Sequence, residues 1–454
     1  MRSTRRAFVK WSSAAGAALA ASHGGLAWGR QQSGARRRLA AIGVGGSRGR
    51  YNRGGTIARQ AAQFADLVAV CDVDEVHAAE FRDKFDGKPA TFVDYRELLE
   101  KIKPDVVTIG TPDHWHVPIA IAAMKAGCDV YCEKPLTLTI DEGKQICRVA
   151  KETGRVFQVG TQQRSEYGGR FLKAVAMVQE GFLGDHVKAH VAIGGAPAGG
   201  PFQPTTPPDG LHWDFWVGPA PAAPYCDQRR QMFRWFLEYS GGKMTDWGAH
   251  HIDIAQWAIG CSDSGPIEVS GTGTFPPVIP QGFDFRDFFA GRIRLPHAFN
   301  APVKFDLTMK YANGSSIQVT DDYASDDGKT KFGNGILFEG DKGRIFVNRG
   351  KLTGTPVESL SEADEKRLEE AISRLYHDRP RRGHMADFFA CVESRQQPVS
   401  DVFTHHRTMT ACHLCNIALQ LGRTVRWDPK GEQFPGDNDA NALMKRPSRP
   451  DYLV

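Results

Sequence analysis

Between Leu39 and Gln158, short apolar runs alternate with stretches of helical pattern, and this alternation constrains the fold more than any other feature of the chain. Leu39-Ala40-Ala41-Ile42, Leu67-Val68-Ala69-Val70-Cys71, Val106-Val107-Thr108-Ile109-Gly110 and Asp129-Val130-Tyr131-Cys132 read as buried strands, and another ends near Val159. That order predicts an α/β fold with a parallel, doubly wound Rossmann sheet. At 454 residues the chain is too long for a single core, so a second domain is expected to follow.

Doubly wound sheets bind ligands at the carboxyl ends of their strands, and the polar residues of this segment gather there: Gly43 to Gly49, Asp72, Thr111-Pro112 and Glu133-Lys134. Gly43 and Gly45 match the first two glycines of a dinucleotide fingerprint, one for the tight turn and one for close approach of backbone N–H groups to a pyrophosphate. The third expected position is Arg48, with Gly49 one residue later, so the loop departs from the pattern; Gly46, Ser47 and Arg48 complete the cofactor candidates here. Asp72 ends the second strand where an acid accepts hydrogen bonds from an adenosine ribose, which favours NAD. Ser47, Arg48 and Arg50 leave NADP open, because an arginine there can hold a 2'-phosphate. An ordinary glycine-rich turn beside a solvated aspartate is the plainer alternative.

The strand ending at Cys132 runs into Glu133-Lys134-Pro135, an acid, an amine and a proline. Much further on comes Gly241-Gly242-Lys243-Met244-Thr245-Asp246-Trp247-Gly248-Ala249-His250-His251-Ile252-Asp253. On one helix Asp246, His250 and Asp253 share a face, and Gly241-Gly242 lets backbone approach a pocket. Together with the glycine loop, these segments predict a nicotinamide-dependent oxidoreductase. Oxidising an alcohol needs a hydride acceptor above the carbon, a base for the hydroxyl proton and a cation beside the developing alkoxide. Duller readings stand beside these: Lys134 as a solvated strand-end lysine, Asp246 as a helix cap, His251 as structural. No metal is predicted, since nothing else in the sequence converges on Asp246, His250 and Asp253. Arg164, after Gln162-Gln163, is either substrate-facing or a structural salt-bridge partner; His116 either reaches the cofactor edge or begins a helix. His212-Trp213-Asp214-Phe215-Trp216 reads as core, with sugar stacking the alternative.

The glycine loop, Thr111-Pro112-Asp113-His114-Trp115-His116, the segment from Ala123 through Glu133-Lys134-Pro135, and Asp246 to Asp253 together resemble the Gfo/Idh/MocA family of glucose-fructose oxidoreductase and myo-inositol dehydrogenase. The resemblance implies a second α/β domain with a large, mostly antiparallel open sheet whose face commonly mediates oligomerisation. It implies that Lys134 contacts nicotinamide and the reacting hydroxyl, that Asp246 and His250 position and deprotonate it, and that the Lys134-Pro135 bond is cis. Thr111, Pro112, His116 and Glu133 then belong to the cofactor site, and Arg164 and Asp253 to the substrate site. The substrate is a sugar, sugar derivative or cyclitol. Two other classes stay open: a redox-neutral glycoside hydrolase or lyase using bound NAD, and a non-catalytic sugar sensor. The N-acetylgalactosaminidase branch of the former carries a different motif where this chain has Asp246-Trp247-Gly248-Ala249-His250.

Thr4-Arg5-Arg6-Ala7-Phe8-Val9-Lys10 and the small-residue run through Ala21 read as a twin-arginine signal rather than a membrane anchor, placing the protein in the periplasm or otherwise outside the cytoplasm. Cleavage after Ala20 removes Arg2, Arg5, Arg6 and Lys10, so the formal charge of +5 falls to +1 and nothing calls for nucleic acid. Outside the cytoplasm no free nicotinamide pool exists, so the cofactor is expected to stay bound across turnovers. Nine scattered cysteines do not make a disulfide framework, and Cys412-His413-Leu414-Cys415 lies in a helical pattern and reads as core. The expected organisation is signal and linker over 1–36, Rossmann domain over 37–158, substrate and oligomerisation domain over 159–435 and a tail over 436–454.

Overall fold

Leu39, Ala40, Ala41 and Ile42 are all buried, as a strand covered on both faces requires, and they form β1 (Arg38–Ile42) in the middle of a parallel sheet. The structure, a computed structural model, describes residues 36–452. Five further strands, β2 (Asp66–Cys71), β3 (Ala90–Phe92), β4 (Val106–Ile109), β5 (Asp129–Cys132) and β6 (Phe157–Val159), complete the sheet in the order β3-β2-β1-β4-β5-β6. The crossover helices are α1 (Arg53–Ala61), α2 (Glu75–Asp83), α3 (Tyr95–Ile102), α4 (His116–Lys125) and α5 (Ile140–Thr153). Asp74, Asp94 and Thr139 cap α2, α3 and α5 by accepting first-turn N–H groups, whereas α1 starts at Asn52 with no side-chain cap. Strand order reverses between β1 and β4, which opens a crevice at their carboxyl ends.

The second half is built on an eight-stranded mixed sheet. Its order is Leu352–Thr353, Gly343–Val347, Gly335–Gly340, Lys188–Ala192, Ser316–Thr320, Lys304–Lys310, Glu268–Thr274 and Val425–Arg426. Only Ser316–Thr320 against Lys188–Ala192 runs parallel; the other neighbours are antiparallel. Lys304–Lys310 shows the two faces: Phe305, Leu307 and Met309 are buried, while Lys304, Asp306 and Lys310 are exposed. The buried face packs on the helices Gly248–Ala258 and Val402–Leu421. Cys412 and Cys415 lie fully buried in the latter, and all nine cysteines are free.

The two halves make contacts across the expected boundary at 158. β6 runs across that seam, Val159 N–H donates to Ser400 O at 2.8 Å, and Phe388, Phe389 and Val392 of the helix His384–Ser394 share a core with Leu39, Ile57 and Tyr131 of the first sheet. The tail expected from 436 is likewise tied down. Ala440, Leu443 and Met444 are buried in the larger core, and Asp141 N–H donates to Met444 O at 3.0 Å. The twin-arginine reading lies outside the described residues. No helix among the described residues is long and apolar enough to cross a membrane.

Candidate active site

A cavity of about 390 Å³ occupies the crevice, and its wall runs from Gly43, Gly45, Asp72, Thr111 and Pro112 to Glu133, Lys134, His250 and Arg349. Gly43 and Gly45 have φ of +73° and +63°, and a Cβ on them would lie 2.6 Å from Thr111 Cγ2 and 2.5 Å from the Tyr51 carbonyl oxygen. Neither position admits a side chain, so the loop turns tightly against Thr111 and Tyr51 beside the uncapped N-terminus of α1, an end that suits an anionic group.

Asp72 lines the cavity and is held by backbone N–H groups. Its Oδ2 accepts from Val44 N–H and Gly45 N–H, each at 3.0 Å, and its Oδ1 from Asp74 N–H at 3.0 Å. A carboxylate has about four lone-pair sites, so these three bonds leave acceptor capacity on Asp72, with His77 Nδ1 3.8 Å from its Oδ1. Gly45 N–H is therefore spent on Asp72, a departure from its expected role at the pyrophosphate. Gly46, Ser47 and Arg48 also depart from expectation, since none lines the cavity. Ser47 donates through N–H and Oγ to Glu80, Gly46 lies against His77 and Glu80, and Arg48 pairs with Asp74. Carboxylates on α2 and its cap draw these residues outward, and Gly49, Arg50, Tyr51 and Arg53 line the cavity instead.

Close approach of helix to strand is met further along. A Cβ on Gly54 would stand 1.7 Å from the Gly43 carbonyl oxygen and 3.2 Å from Gly110 Cα, so Gly54 in the first turn of α1 does what the third glycine of the fingerprint usually does. Its signal, Arg53-Gly54-Gly55 opening a helix, lies beyond the usual spacing.

The Lys134-Pro135 bond is cis. Lys134 Nζ donates to Asp246 Oδ1 at 2.6 Å and to the Asp246 carbonyl oxygen at 2.8 Å. Arg234, not anticipated from the sequence, donates through Nε to the same Oδ1 at 3.1 Å while its guanidinium covers Tyr51 at 4.3 Å. Burial alone would raise the Asp246 carboxyl, but Lys134 and Arg234 outweigh it and hold the group well below the usual carboxylate range. Asp246 is not part of the cavity wall and acts on it through Lys134. His250 is part of it. Burial first, then repulsion from Lys134 and Arg349, keeps its imidazole neutral, and its Nδ1 has no partner among the described residues.

Glu133 accepts from Arg53 Nε at 2.8 Å and Gln162 Nε2 at 3.1 Å. His116 lines the cavity at the start of α4, with Nδ1 2.6 Å from Pro135 O and Nε2 2.9 Å from Thr111 O. Trp216 and Phe215 belong both to apolar cores and to the cavity wall.

Arg164 and Asp253, expected at the substrate, are brought together elsewhere. They form a buried bidentate pair at 2.8 and 2.7 Å, with Thr408 Oγ1 donating to Asp253 at 2.9 Å and Trp257 under the guanidinium at 4.5 Å. The helix is interrupted at Trp247, between Gly242–Asp246 and Gly248–Ala258, so the three residues do not share one stripe. His251 is structural, between Gln163 and Asn334.

Six fully buried histidines held neutral set an expectation for acid stability. Burial pushes His114, His251, His405 and His413 down from an ordinary 6.5 to about 3, 4, 4 and 3, and His250 and His384 move the same way. Below 6.5 the unfolded chain gains protons that the folded chain refuses, so stability present above that pH is lost as pH falls toward 4. Glu142, raised by burial to about 7, opposes this with Asp72 and Asp113, three groups against six. The unfolding free energy should therefore drop by at least roughly 3 kcal/mol between pH 7 and pH 4.5. Urea titrations at the two pH values check this, and equal midpoints would contradict it.

The crevice, with a lysine–carboxylate pair and a neutral histidine beside the glycine loop, belongs to a Rossmann-class fold. The chain belongs to the Gfo/Idh/MocA oxidoreductase family: residues 37–161 match its NAD-binding Rossmann fold, and residues 199–274 and 299–454 its C-terminal alpha/beta domain. It is 34% identical over 109 residues to the D-glucoside 3-dehydrogenase of Escherichia coli, covering 22% of this chain and 31% of that protein. It is 33% identical over 135 residues to the alpha-N-acetylgalactosaminidase of Shewanella oneidensis, covering 28% of this chain and 29% of that protein. Neither match reaches a third of the relative's length. In fold it is similar to the WlbA dehydrogenase of Bordetella pertussis in complex with NADH and UDP-GlcNAcA (TM-score 0.56, 18% identity, 87% of this chain and 98% of that one). Myo-inositol 2-dehydrogenase of Lactobacillus plantarum gives a TM-score of 0.54 at 20% identity, with 86% and 99% of the chains covered.

Proposed function

We propose that this protein moves hydrogen between a carbinol of a sugar, sugar derivative or cyclitol and a nicotinamide dinucleotide lodged along the crevice. The observation that carries the reading is that Lys134, fixed by Asp246 at 2.6 Å, and His250 open onto the same cavity as Gly43, Gly45 and Asp72. Gly43, Gly45, Asp72, Thr111 and Pro112 would hold the dinucleotide, whose nicotinamide supplies a two-electron acceptor when bound. Lys134 donates to the carbinol oxygen and stabilises its alkoxide character. Asp246 stays ionised and aims the ammonium. The neutral His250 takes the proton, and repulsion by Lys134 and Arg349 makes it a ready donor in the reverse direction. Turnover of a sugar and cyclitol panel, followed at 340 nm with added dinucleotide or by product analysis, tests the reading. Growth of neither reduced dinucleotide nor oxidised sugar would sink it.

NAD is the preferred form on two grounds. Asp72 offers a free lone pair to a ribose hydroxyl and repels a 2'-phosphate, and both Arg48 and Arg230 are committed to Asp74. Export through the twin-arginine route, retention of the dinucleotide between turnovers, and homo-oligomer formation through the open face of the second sheet complete the proposal. The first two rest on Arg5-Arg6 in the same chain as the crevice. Mass spectrometry of dialysed, heat-released protein should find NAD at close to one per chain. Protein that is empty, or that holds NADP, would contradict retention or the NAD preference respectively.

The local similarity to an alpha-N-acetylgalactosaminidase favours one second reading, hydrolysis of a glycoside with bound NAD and no net redox change. Release of nitrophenol from a nitrophenyl glycoside without reduced dinucleotide selects it. Dinucleotide binding without turnover of any carbohydrate would instead select a sensor.

A further inference from the structure

Around Lys134 the cations outnumber the carboxylates, and the surplus sits on one indole. Asp246 accepts from both Lys134 and Arg234, and Glu133 pairs with Arg53 at 2.8 Å. Arg349 and Lys243 have no carboxylate at ion-pair distance among the described residues. The Arg349 guanidinium stands 4.7 Å from the Trp247 ring centroid and 4.8 Å from that of Tyr167, and its one hydrogen bond runs from Nε to Gln163 Oε1 at 3.3 Å. Lys243 Nζ stands 6.0 Å from the same Trp247 ring and 5.7 Å from that of Trp235. Trp247, Tyr167 and Arg349 line the cavity, and the Trp247 ring meets His250 edge-on at 5.7 Å.

Desolvation is the largest influence on both cations and pushes each below its ordinary value. Lys134 and Arg234 add repulsion on Lys243, against attraction from Asp246, and Arg53 adds it on Arg349, against weaker attraction from Asp246 and Glu133. A half-buried cation without a counter-ion is costly unless a ligand brings one. The indole offers a flat face to the C–H side of a pyranose, and a guanidinium fork matches a planar oxyanion. We propose that Arg349, set against Trp247 and Tyr167 on the cavity wall, binds an anionic group on the carbohydrate, a carboxylate or a phosphate, with Lys243, off the wall, adding positive potential beside Trp247, so that the substrates are acidic rather than neutral sugars. This deepens the carbohydrate oxidoreductase reading and rests on it.

The test is a tryptophan-fluorescence titration of the full chain with methyl β-D-glucuronide, methyl β-D-glucoside and glucose 6-phosphate, repeated on Arg349→Met and Lys243→Met. An anionic sugar should bind about ten-fold or more tightly than the neutral glucoside, and the anion bound best tells carboxylate from phosphate. In each variant that preference should shrink to within about three-fold, and added salt should weaken only the anionic ligands. Equal affinity for acid and neutral sugar in the wild type overturns the proposal, as does an undiminished preference in both variants. An acid that binds tightly and is never oxidised leaves the anion site standing and removes the oxidoreductase reading instead.

Discussion

Lys134→Ala should lower kcat/KM by about 10³-fold or more on any carbohydrate the protein turns over, because it removes the ammonium beside the reacting oxygen. The fold should survive. Asp246 keeps Arg234 at 3.1 Å, so no buried carboxylate is left bare, and Lys134 side-chain exposure of 12% allows water to replace the ammonium. His250→Ala should lose at least about 10²-fold through removal of the proton acceptor. Far-UV circular dichroism of both variants should match the wild type. Activity within a few-fold of wild type in either would take that residue out of the catalytic set.

Gly54→Ala should give the largest loss of stability of any single methyl addition in the Rossmann half. The new Cβ would meet the Gly43 carbonyl oxygen at 1.7 Å, backbone against backbone, so α1 must move away from β1 and β4. Overpacking of this kind costs about 3 kcal/mol, and moving α1 also disturbs the Gly43 turn on which dinucleotide binding depends. Urea denaturation should show the loss, and dinucleotide affinity should fall with it. A change below about 1 kcal/mol with unaltered binding would show that the helix yields and that Gly54 does not set the crevice.

β1, β2, β4 and β5 were legible because both faces of each are covered, which writes them as near-continuous apolar runs. β3 was not, since Ala90-Thr91-Phe92 is three residues on a half-exposed edge. Lys134, Asp246 and His250 could be read from local motifs and are adjacent in the fold. Arg234 and Arg349 could not, because each reaches the site through the tertiary fold, Arg234 from an aromatic-flanked turn and Arg349 from a hairpin tip. The same limit explains Gly46, Ser47 and Arg48, whose partners Glu80 and Asp74 lie on the next helix and its cap. Periodicity placed Asp253 with Asp246 on the assumption of an unbroken helix. The interruption at Trp247 and the waiting Arg164 guanidinium made Asp253 half of a buried structural pair, which is the duller of the two readings Arg164 allowed.

The central claim is that hydrogen passes from a carbinol carbon to a dinucleotide held in the crevice with Lys134 and His250 at the reacting oxygen. Single turnover of a carbohydrate substrate deuterated at the reacting carbon, followed by mass spectrometry of the released dinucleotide and sugar, tests it most directly. Hydride transfer should give reduced dinucleotide carrying one deuterium together with the ketone or lactone of the sugar, and neither in Lys134→Ala. Hydrolysed glycoside with no reduced dinucleotide, or a dinucleotide that never acquires the label, would contradict it.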